Sequence, residues 1–315
     1  MSKGLIFITG ATGFIGSAIA LEALKTGYRL RISVRKQSQI LAIESLLSAY
    51  KDEIEFVAIP DITQESSFAG KLDGADYVLH VASPLVQGVD RETYFGPAVK
   101  GTTAVLSEAE KVESVKKVVI TSSIAALVPL GGLPEGGVIH ENNNWDFIVD
   151  TEGSFTEEND FATGMKLYHA SKILANNATW DFHKCAKPHY SLVSIHPGLR
   201  TNGLFYGSIV GGKPLTTITA VHISNVAEAH VRALDEGIKD GSKYLVSGKP
   251  ATWGEAGAIV QEVYAVKGFK IQADAAGTSW PVDTSLAERD LGLKWRSLEE
   301  IVTGVVDQQL GVAKA

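Results

Sequence analysis

The 315-residue sequence has a single cysteine, Cys185, and only two methionines. One thiol excludes an internal disulfide and any multi-cysteine metal site, and it suits a reducing compartment, with the cytoplasm as the expected location. Nothing beside Cys185, which precedes Ala186-Lys187-Pro188, suggests an activated thiolate, so an inert role is expected. Long apolar runs are also missing. None reaches the length that spans a bilayer, and the first, which ends at Gly10, is too short for the hydrophobic region of a secretory signal. Nor is there a basic excess: 29 Lys and Arg against 36 Asp and Glu leave a formal charge of −7. The chain therefore offers no general field for nucleic acid or an anionic membrane, and neither is an expected partner. The eight histidines, among them His80, His169 and His222, lack metal-ligand spacing, so structural roles and no metal are expected. Internal repeats and low-complexity tracts are absent.

What is present is an ordinary globular composition, 45% hydrophobic and 21% charged. The length suits one large domain or a nucleotide fold carrying a smaller lobe. Apolar runs rich in β-branched residues alternate with segments of helical period over the first two thirds. Strands are predicted at Leu5–Thr9, Leu30–Val34, Ile54–Ile59, Tyr77–Val81, Lys117–Ser122 and Ser191–His196. Continuous apolar strands separated by helices predict an α/β fold, a doubly wound parallel sheet of Rossmann type. Ligands of such sheets sit outside the carboxyl ends of the strands, so the residues just past each strand carry the function. Residues 129–164, rich in Gly, Asn, Asp and Glu, read as a long irregular insertion near the site. After Pro197 come a loop through Gly211-Gly212, a helix from Ser224 to Glu236, a strand Tyr244–Ser247, two more helices, and a polar tail from Gly304 to Ala315 expected to fray at its end. This predicts a nucleotide-binding domain over 1–197 and a smaller C-terminal substrate lobe over 198–315, with 222–247 returning to the main sheet.

Gly10-Ala11-Thr12-Gly13-Phe14-Ile15-Gly16 comes directly after the first strand and opens a helical segment. Glycines permit a sharp turn and close approach of backbone to a pyrophosphate, and a helix N-terminus offers unpaired N–H groups to it. The spacing differs from G-x-G-x-x-G, and a strand-turn-helix that merely contains glycines is the alternative. Past the second strand, where an acidic residue would accept from a free ribose 2′-hydroxyl, stand Arg35 and Lys36. Two cations there suit a 2′-phosphate, hence NADPH/NADP as cofactor, with Arg35 able to grip it through a planar fork. A solvated basic turn is the plainer reading. Asp61, with Ile62, closes the third strand and is placed to accept from the adenine amino group, or to cap a helix.

Tyr168-His169-Ala170-Ser171-Lys172 continues into Ile173-Leu174-Ala175 and is predicted helical, which sets phenol and ammonium side by side. A neighbouring cation favours phenolate, and a phenol so tuned can protonate a forming alkoxide. Thr121-Ser122-Ser123 ends the fifth predicted strand, where a hydroxyl can meet a developing oxyanion. Separately these would be a surface helix pair and a cap; together they carry weight. Trp145, Phe205 and Tyr206 fall in segments read as irregular and are candidate walls of an apolar substrate pocket, with core packing as the alternative.

The glycine pattern, the Tyr168 to Lys172 motif and the upstream serine resemble the short-chain dehydrogenase/reductase superfamily, and the length resembles its extended branch. Pro97-Ala98-Val99-Lys100-Gly101-Thr102, Glu141-Asn142-Asn143-Asn144-Trp145 and His222-Ile223-Ser224-Asn225-Val226-Ala227 are similar to the dihydroflavonol reductase group, which includes cinnamoyl-CoA reductases and fungal aldehyde and ketone reductases. The resemblance implies Ser123 as the catalytic serine, Tyr168 as proton donor, and Lys172 also holding the nicotinamide ribose. It implies further that Val81-Ala82-Ser83, Thr121 and Pro197-Gly198-Leu199 flank the cofactor. Gly164-Met165-Lys166-Leu167 lacks the Trp-Tyr-Cys signature of cinnamoyl-CoA reductases, so a fungal methylglyoxal-type carbonyl reductase is the closest fit. The expected partner is a small-molecule carbonyl substrate, with the chain a monomer or homodimer. The rival readings are a nucleotide-sugar epimerase or dehydratase with retained NAD, disfavoured by Arg35, and a non-catalytic NADP-sensing module, disfavoured by the Tyr and Lys pair.

Overall fold

Strands apolar on both faces can be buried only where helices cover both sides of a sheet, and the chain folds accordingly. The computed structural model describes residues 2–84, 86, 88–200, 203–214 and 217–311. In chain order it contains β1 (Leu5–Thr9), α1 (Phe14–Lys25), β2 (Arg29–Val34), α2 (Ile40–Leu46), β3 (Ile54–Ala58), β4 (Tyr77–His80), α3 (Phe95–Glu110), β5 (Lys117–Thr121) and α4 (Asp160–Ala186). Then come β6 (Ser191–Pro197), β7 (Leu199–Arg200), α5 (Gly203–Gly211), β8 (Ala220–Val221), α6 (Ile223–Arg232), β9 (Lys243–Val246), α7 (Trp253–Val263), α8 (Ser285–Leu291) and α9 (Leu298–Gln309).

Seven strands form one sheet in the order β3-β2-β1-β4-β5-β6-β9, and β7 pairs with β8 in a second. Every pairing from β3 through β6 is parallel. The chain reverses its direction of travel across the sheet between β1 and β4, which opens a crevice beyond their carboxyl ends. β1 and β4 are buried along their whole lengths. Phe7, Val78, Val118 and Leu192 from four neighbouring strands share one cluster with Val105 and Leu106 of α3. Each such fully buried side chain contributes roughly 1.5–3 kcal/mol.

Contacts divide the chain into two compact units. The first comprises Met1–Leu133, Asn144–His196 and His230–Lys243; the second comprises Pro134–Asn143, Pro197–Ala229 and Tyr244–Ala315. The second has its own apolar core, built on Phe205, Ile209, Trp253, Val260, Ile271, Val302 and Val306. Two of its helices begin with reciprocal capping boxes, Thr252 with Glu255 and Ser297 with Glu300, each cap stabilising by about 1 kcal/mol. Glu141, inside the stretch read as an insertion, is buried there. Its carboxylate accepts from the Leu245 N–H at 2.6 Å in β9, and burial raises its pKa.

Three expectations are corrected. The irregular stretch ends earlier than residue 164: α4 starts at Asp160, its first turn capped by Asn159, which accepts from the Ala162 N–H. Residues 203–211, read as part of a loop, are helix α5, because Phe205 and Ile209, four apart, both enter the second core. The stretch from Gly304, read as a polar tail, opens with the second half of α9, where Val305 and Val306 are buried; its end, expected to fray, falls on residues 312–315, outside the described part.

Candidate active site

The glycine turn after β1 is shaped by contact. Gly10 has φ 76°, and a Cβ there would lie 2.6 Å from the Ala82 backbone nitrogen; one on Gly16 would lie 2.1 Å from the Gly10 carbonyl oxygen. The loops after β1 and β4 therefore press together at the crevice. Gly13 is the N-cap of α1, and neither a side-chain cap nor an acidic residue occupies that first turn. Thr12 and Gly13 are exposed, Phe14 is half-buried, and Ile15 points under the helix into the core. The Gly13 N–H donates to the Gly10 carbonyl at 3.0 Å, and a helix N-terminus behind it that carries no side-chain cap and no acidic residue fits a dinucleotide pyrophosphate.

Arg35 and Lys36 are both exposed directly beyond β2. Asp61 is also exposed. Its Oδ1 accepts from the Thr63 N–H at 2.8 Å and the Thr63 hydroxyl at 2.7 Å, so it closes a turn, while its second oxygen is outside those bonds. These bonds chiefly, with the Arg35 charge contributing least, hold its carboxyl below the usual aspartate range. Ile62 leans on α3, where a Cβ on Gly101 would meet it at 3.1 Å.

Beyond β4 the loop Val81-Ala82-Ser83 is fixed by Thr9. The Thr9 hydroxyl oxygen accepts from the N–H groups of Val81 and Ala82, both at 3.2 Å, so its own proton goes to His80 Nδ1 at 2.9 Å. The ring proton of His80 is then on Nε2. Burial, reinforced by the charge of Lys172, lowers the His80 pKa to about 3, so the imidazole is neutral.

Tyr168 and Lys172 lie one turn apart on α4, as their spacing predicts. The Lys172 ammonium is 5.4 Å from the centre of the Tyr168 ring and donates to the Ser83 hydroxyl at 2.7 Å. Tyr168 is half-buried, packed on the cluster of Tyr94, Phe155, Leu167 and Ala170. Lys172, Ser83 and His80 line a small cavity together with Thr121, Ser122, Asn176 and Ser194. At its centre is room for about one water molecule.

Ser123 lies just past β5 in extended conformation and caps the short 3₁₀ turn Ile124–Leu127. Its Oγ accepts from the Ala125 N–H at 3.2 Å, an arrangement that leaves the hydroxyl proton to be donated elsewhere. α4 packs on that turn, and His169 Nε2 donates to the Val128 carbonyl at 2.8 Å. Thus the segment carrying Ser123 and the helix carrying Tyr168 and Lys172 are fastened together. Thr121 is bonded through its hydroxyl to the buried His230 at 2.7 Å.

The structure thus brings Gly10, Val81, Ala82, Ser83, Thr121, Ser123, Tyr168 and Lys172 into the first unit along the carboxyl ends of β1, β4 and β5. Trp145 belongs to the same unit and is half-buried in the irregular stretch. Pro197, Gly198 and Leu199 belong to the second unit, where a Cβ on Gly198 would meet the Thr219 carbonyl oxygen at 2.7 Å. Phe205 is a correction. It is wholly buried, its ring 5.0 Å from that of Trp253, and it serves as core and not as a pocket wall. Tyr206, also on α5 and not in a loop, is half-buried against Phe269. Sequence reasoning missed Thr9, Ser194, His196 and Asn176. For Thr9 and His196 the available signal was a polar side chain at the carboxyl-terminal end of an otherwise apolar strand; Ser194, in the middle of β6, and Asn176, on α4, carry no such mark.

Among the described residues no helix is long and apolar enough to cross a membrane. The NAD dependent epimerase/dehydratase family matches residues 6–193. The chain is 50% identical to ketoreductase sphI of Aspergillus fumigatus, with 99% of each chain covered. Among solved structures, Gre2 from Candida albicans in complex with NADPH superposes with a TM-score of 0.82 at 24% identity, covering 98% of this chain and 99% of that one. Yeast methylglyoxal/isovaleraldehyde reductase Gre2 complexed with NADPH gives 0.79 at 22%, covering 98% and 100%. With its glycine turn, its parallel sheet and its Tyr168 and Lys172 pair accounted for, the chain belongs to the NAD dependent epimerase/dehydratase family, the extended branch of the short-chain dehydrogenases and reductases that its motifs resemble.

Proposed function

We propose that this protein is an NADPH-dependent carbonyl reductase that converts a ketone or aldehyde to an alcohol. The observation that carries the reading is the placement of Lys172 against the Tyr168 ring, with its ammonium held by Ser83 just past β4. The ketoreductase at 50% identity over nearly the full length supports it. NADPH, when bound, supplies the hydride. Gly10, Thr12, Gly13, Phe14, Ile15 and Gly16 would hold its pyrophosphate, Arg35 and Lys36 its 2′-phosphate, and Asp61 and Ile62 its adenine. Val81, Ala82, Ser83 and Thr121 would line the remainder within the first unit.

Ser123 donates its hydroxyl proton in a hydrogen bond to the substrate oxygen as charge develops there. Tyr168 transfers the phenolic proton to that oxygen, and the Lys172 ammonium stabilises the negative charge the phenol acquires. Lys172 would also hold the nicotinamide ribose. Trp145 remains a candidate substrate contact in the first unit.

The test is a panel of ketones, aldehydes and diketones offered to the purified protein with NADPH and with NADH. Consumption of external NADPH with alcohol formation is expected. A protein that retains NAD through purification and consumes no external cofactor would instead be an epimerase or dehydratase. NADP binding with no turnover on any carbonyl compound would leave a sensing module.

A further inference from the structure

Ser123 can act on a substrate only if its peptide is held while its hydroxyl proton remains available. The Ser123 carbonyl oxygen carries two hydrogen bonds. One comes from the Ala126 N–H at 3.0 Å, the first bond of the 3₁₀ turn. The other comes from His196 Nδ1 at 3.2 Å. A carbonyl can only accept, so the proton of this imidazole is on Nδ1. Nε2 is then an acceptor, and it is met by the Ser194 hydroxyl at 2.8 Å. Ser194 and His196, two apart on β6, share one face of the strand. The tautomer, the ring orientation and the serine peptide are therefore fixed by one chain of donors, from Ser194 through His196 to the Ser123 carbonyl.

His196 has no exposed surface, and Ser194 lies at the wall of the cavity that Lys172 lines. An apolar residue would fill such a place without the desolvation cost of an imidazole. This ring has both nitrogens satisfied, and burial keeps it neutral with a pKa near 3.

We propose that His196 is a positioning residue for the reductase reaction: through its hydrogen bond to the Ser123 carbonyl it sets the direction of the Ser123 hydroxyl, with Ser194 fixing its tautomer. The inference rests on the carbonyl reductase reading above. His196 moves no proton to substrate and touches neither substrate nor cofactor.

The test is a double-mutant cycle on kcat, with NADPH affinity and thermal unfolding measured in parallel. His196→Leu is expected to lower kcat by about ten- to fiftyfold while NADPH affinity stays within about threefold. His196→Asn, whose amide N–H can take the place of Nδ1–H, is expected to recover most of that loss. In a Ser123→Ala background the His196→Leu penalty is expected to shrink to less than about threefold, because the effect travels through Ser123. If His196→Leu does not fold, Ser194→Ala serves in its place, with an expected loss of about two- to fivefold that likewise vanishes in the Ser123→Ala background.

A penalty of equal size with and without Ser123 would overturn the inference, as would near-normal kcat in folded His196→Leu. A His196→Asn variant no better than His196→Leu would also overturn it. If Ser123→Ala itself turned over normally, the reductase reading of Ser123 would fail first, so the two failures are distinguishable.

Discussion

In the first unit, polar side chains are paired, buried or half-buried, along or just beyond the carboxyl-terminal parts of strands: Thr9 with His80, Thr121 with His230 of α6, Ser194 with His196, Ser83 with Lys172 of α4. In the second unit large side chains build the core, Phe205 against Trp253 and Tyr264 against Phe269, with buried polar groups such as Glu141 and Asp307 among them, and Phe205, the site-like aromatic of α5, proves to be core. The difference shows where residue chemistry can be read as function. A hydroxyl or imidazole at the carboxyl end of a parallel strand lies at the ligand edge whatever the loops do. An aromatic residue in a segment of unclear period has no such address, and the default of core packing wins.

Breaking the comparison hardest is Tyr168→Phe. Removing only the phenolic oxygen is expected to lower turnover by about a thousandfold or more while NADPH binding, read by cofactor fluorescence, stays within about threefold. Near-normal turnover would remove Tyr168 from the reaction. Phe205→Ala attacks the other side. As a buried core residue it is expected to lose about 3–5 kcal/mol in denaturant unfolding, whereas a pocket wall would raise KM at little cost in stability.

Acid sharpens the contrast. His80 and His196 have pKa values lowered to about 3, below the unfolded value of 6.5. Between those values the unfolded chain binds more protons than the folded one, so stability falls as pH drops below 6.5. At pH 5 each histidine is expected to cost about 2 kcal/mol relative to neutral pH, read as a lower urea midpoint. His80→Gln should flatten part of that slope, since glutamine does not titrate. The smallest effect is expected for Arg35→Ala: about tenfold weaker NADPH binding with NADH little changed. Equal loss for both cofactors would deny Arg35 the 2′-phosphate.

Most of the sheet was legible because its strands are β-branched runs that match the observed β1 to β6 to within one residue at each end. The Tyr168 to Lys172 turn was legible because helical spacing alone sets the two side by side. The elements that escaped did so for physical reasons. Asn159 is an N-cap with no strong apolar period behind it, so the first turn of α4 looked like loop. Helix α5 is too short and too uniformly apolar to show a period. The His196 to Ser123 bond joins residues 73 positions apart through a carbonyl that any residue would supply, so no sequence pattern marks it. The same holds for His80, whose bond to Thr9 joins residues 71 positions apart on neighbouring strands.

The central claim is hydride transfer from NADPH to a carbonyl carbon in the first unit. It is tested most directly with NADPH deuterated at one face of nicotinamide C4 and a ketone from the panel that is consumed. The account expects one of the two labelled faces to place a single deuterium on the carbinol carbon of the alcohol, with none transferred by Tyr168→Phe at matched times. An alcohol without label from either face, or a Tyr168→Phe variant that transfers label at the normal rate, would contradict it.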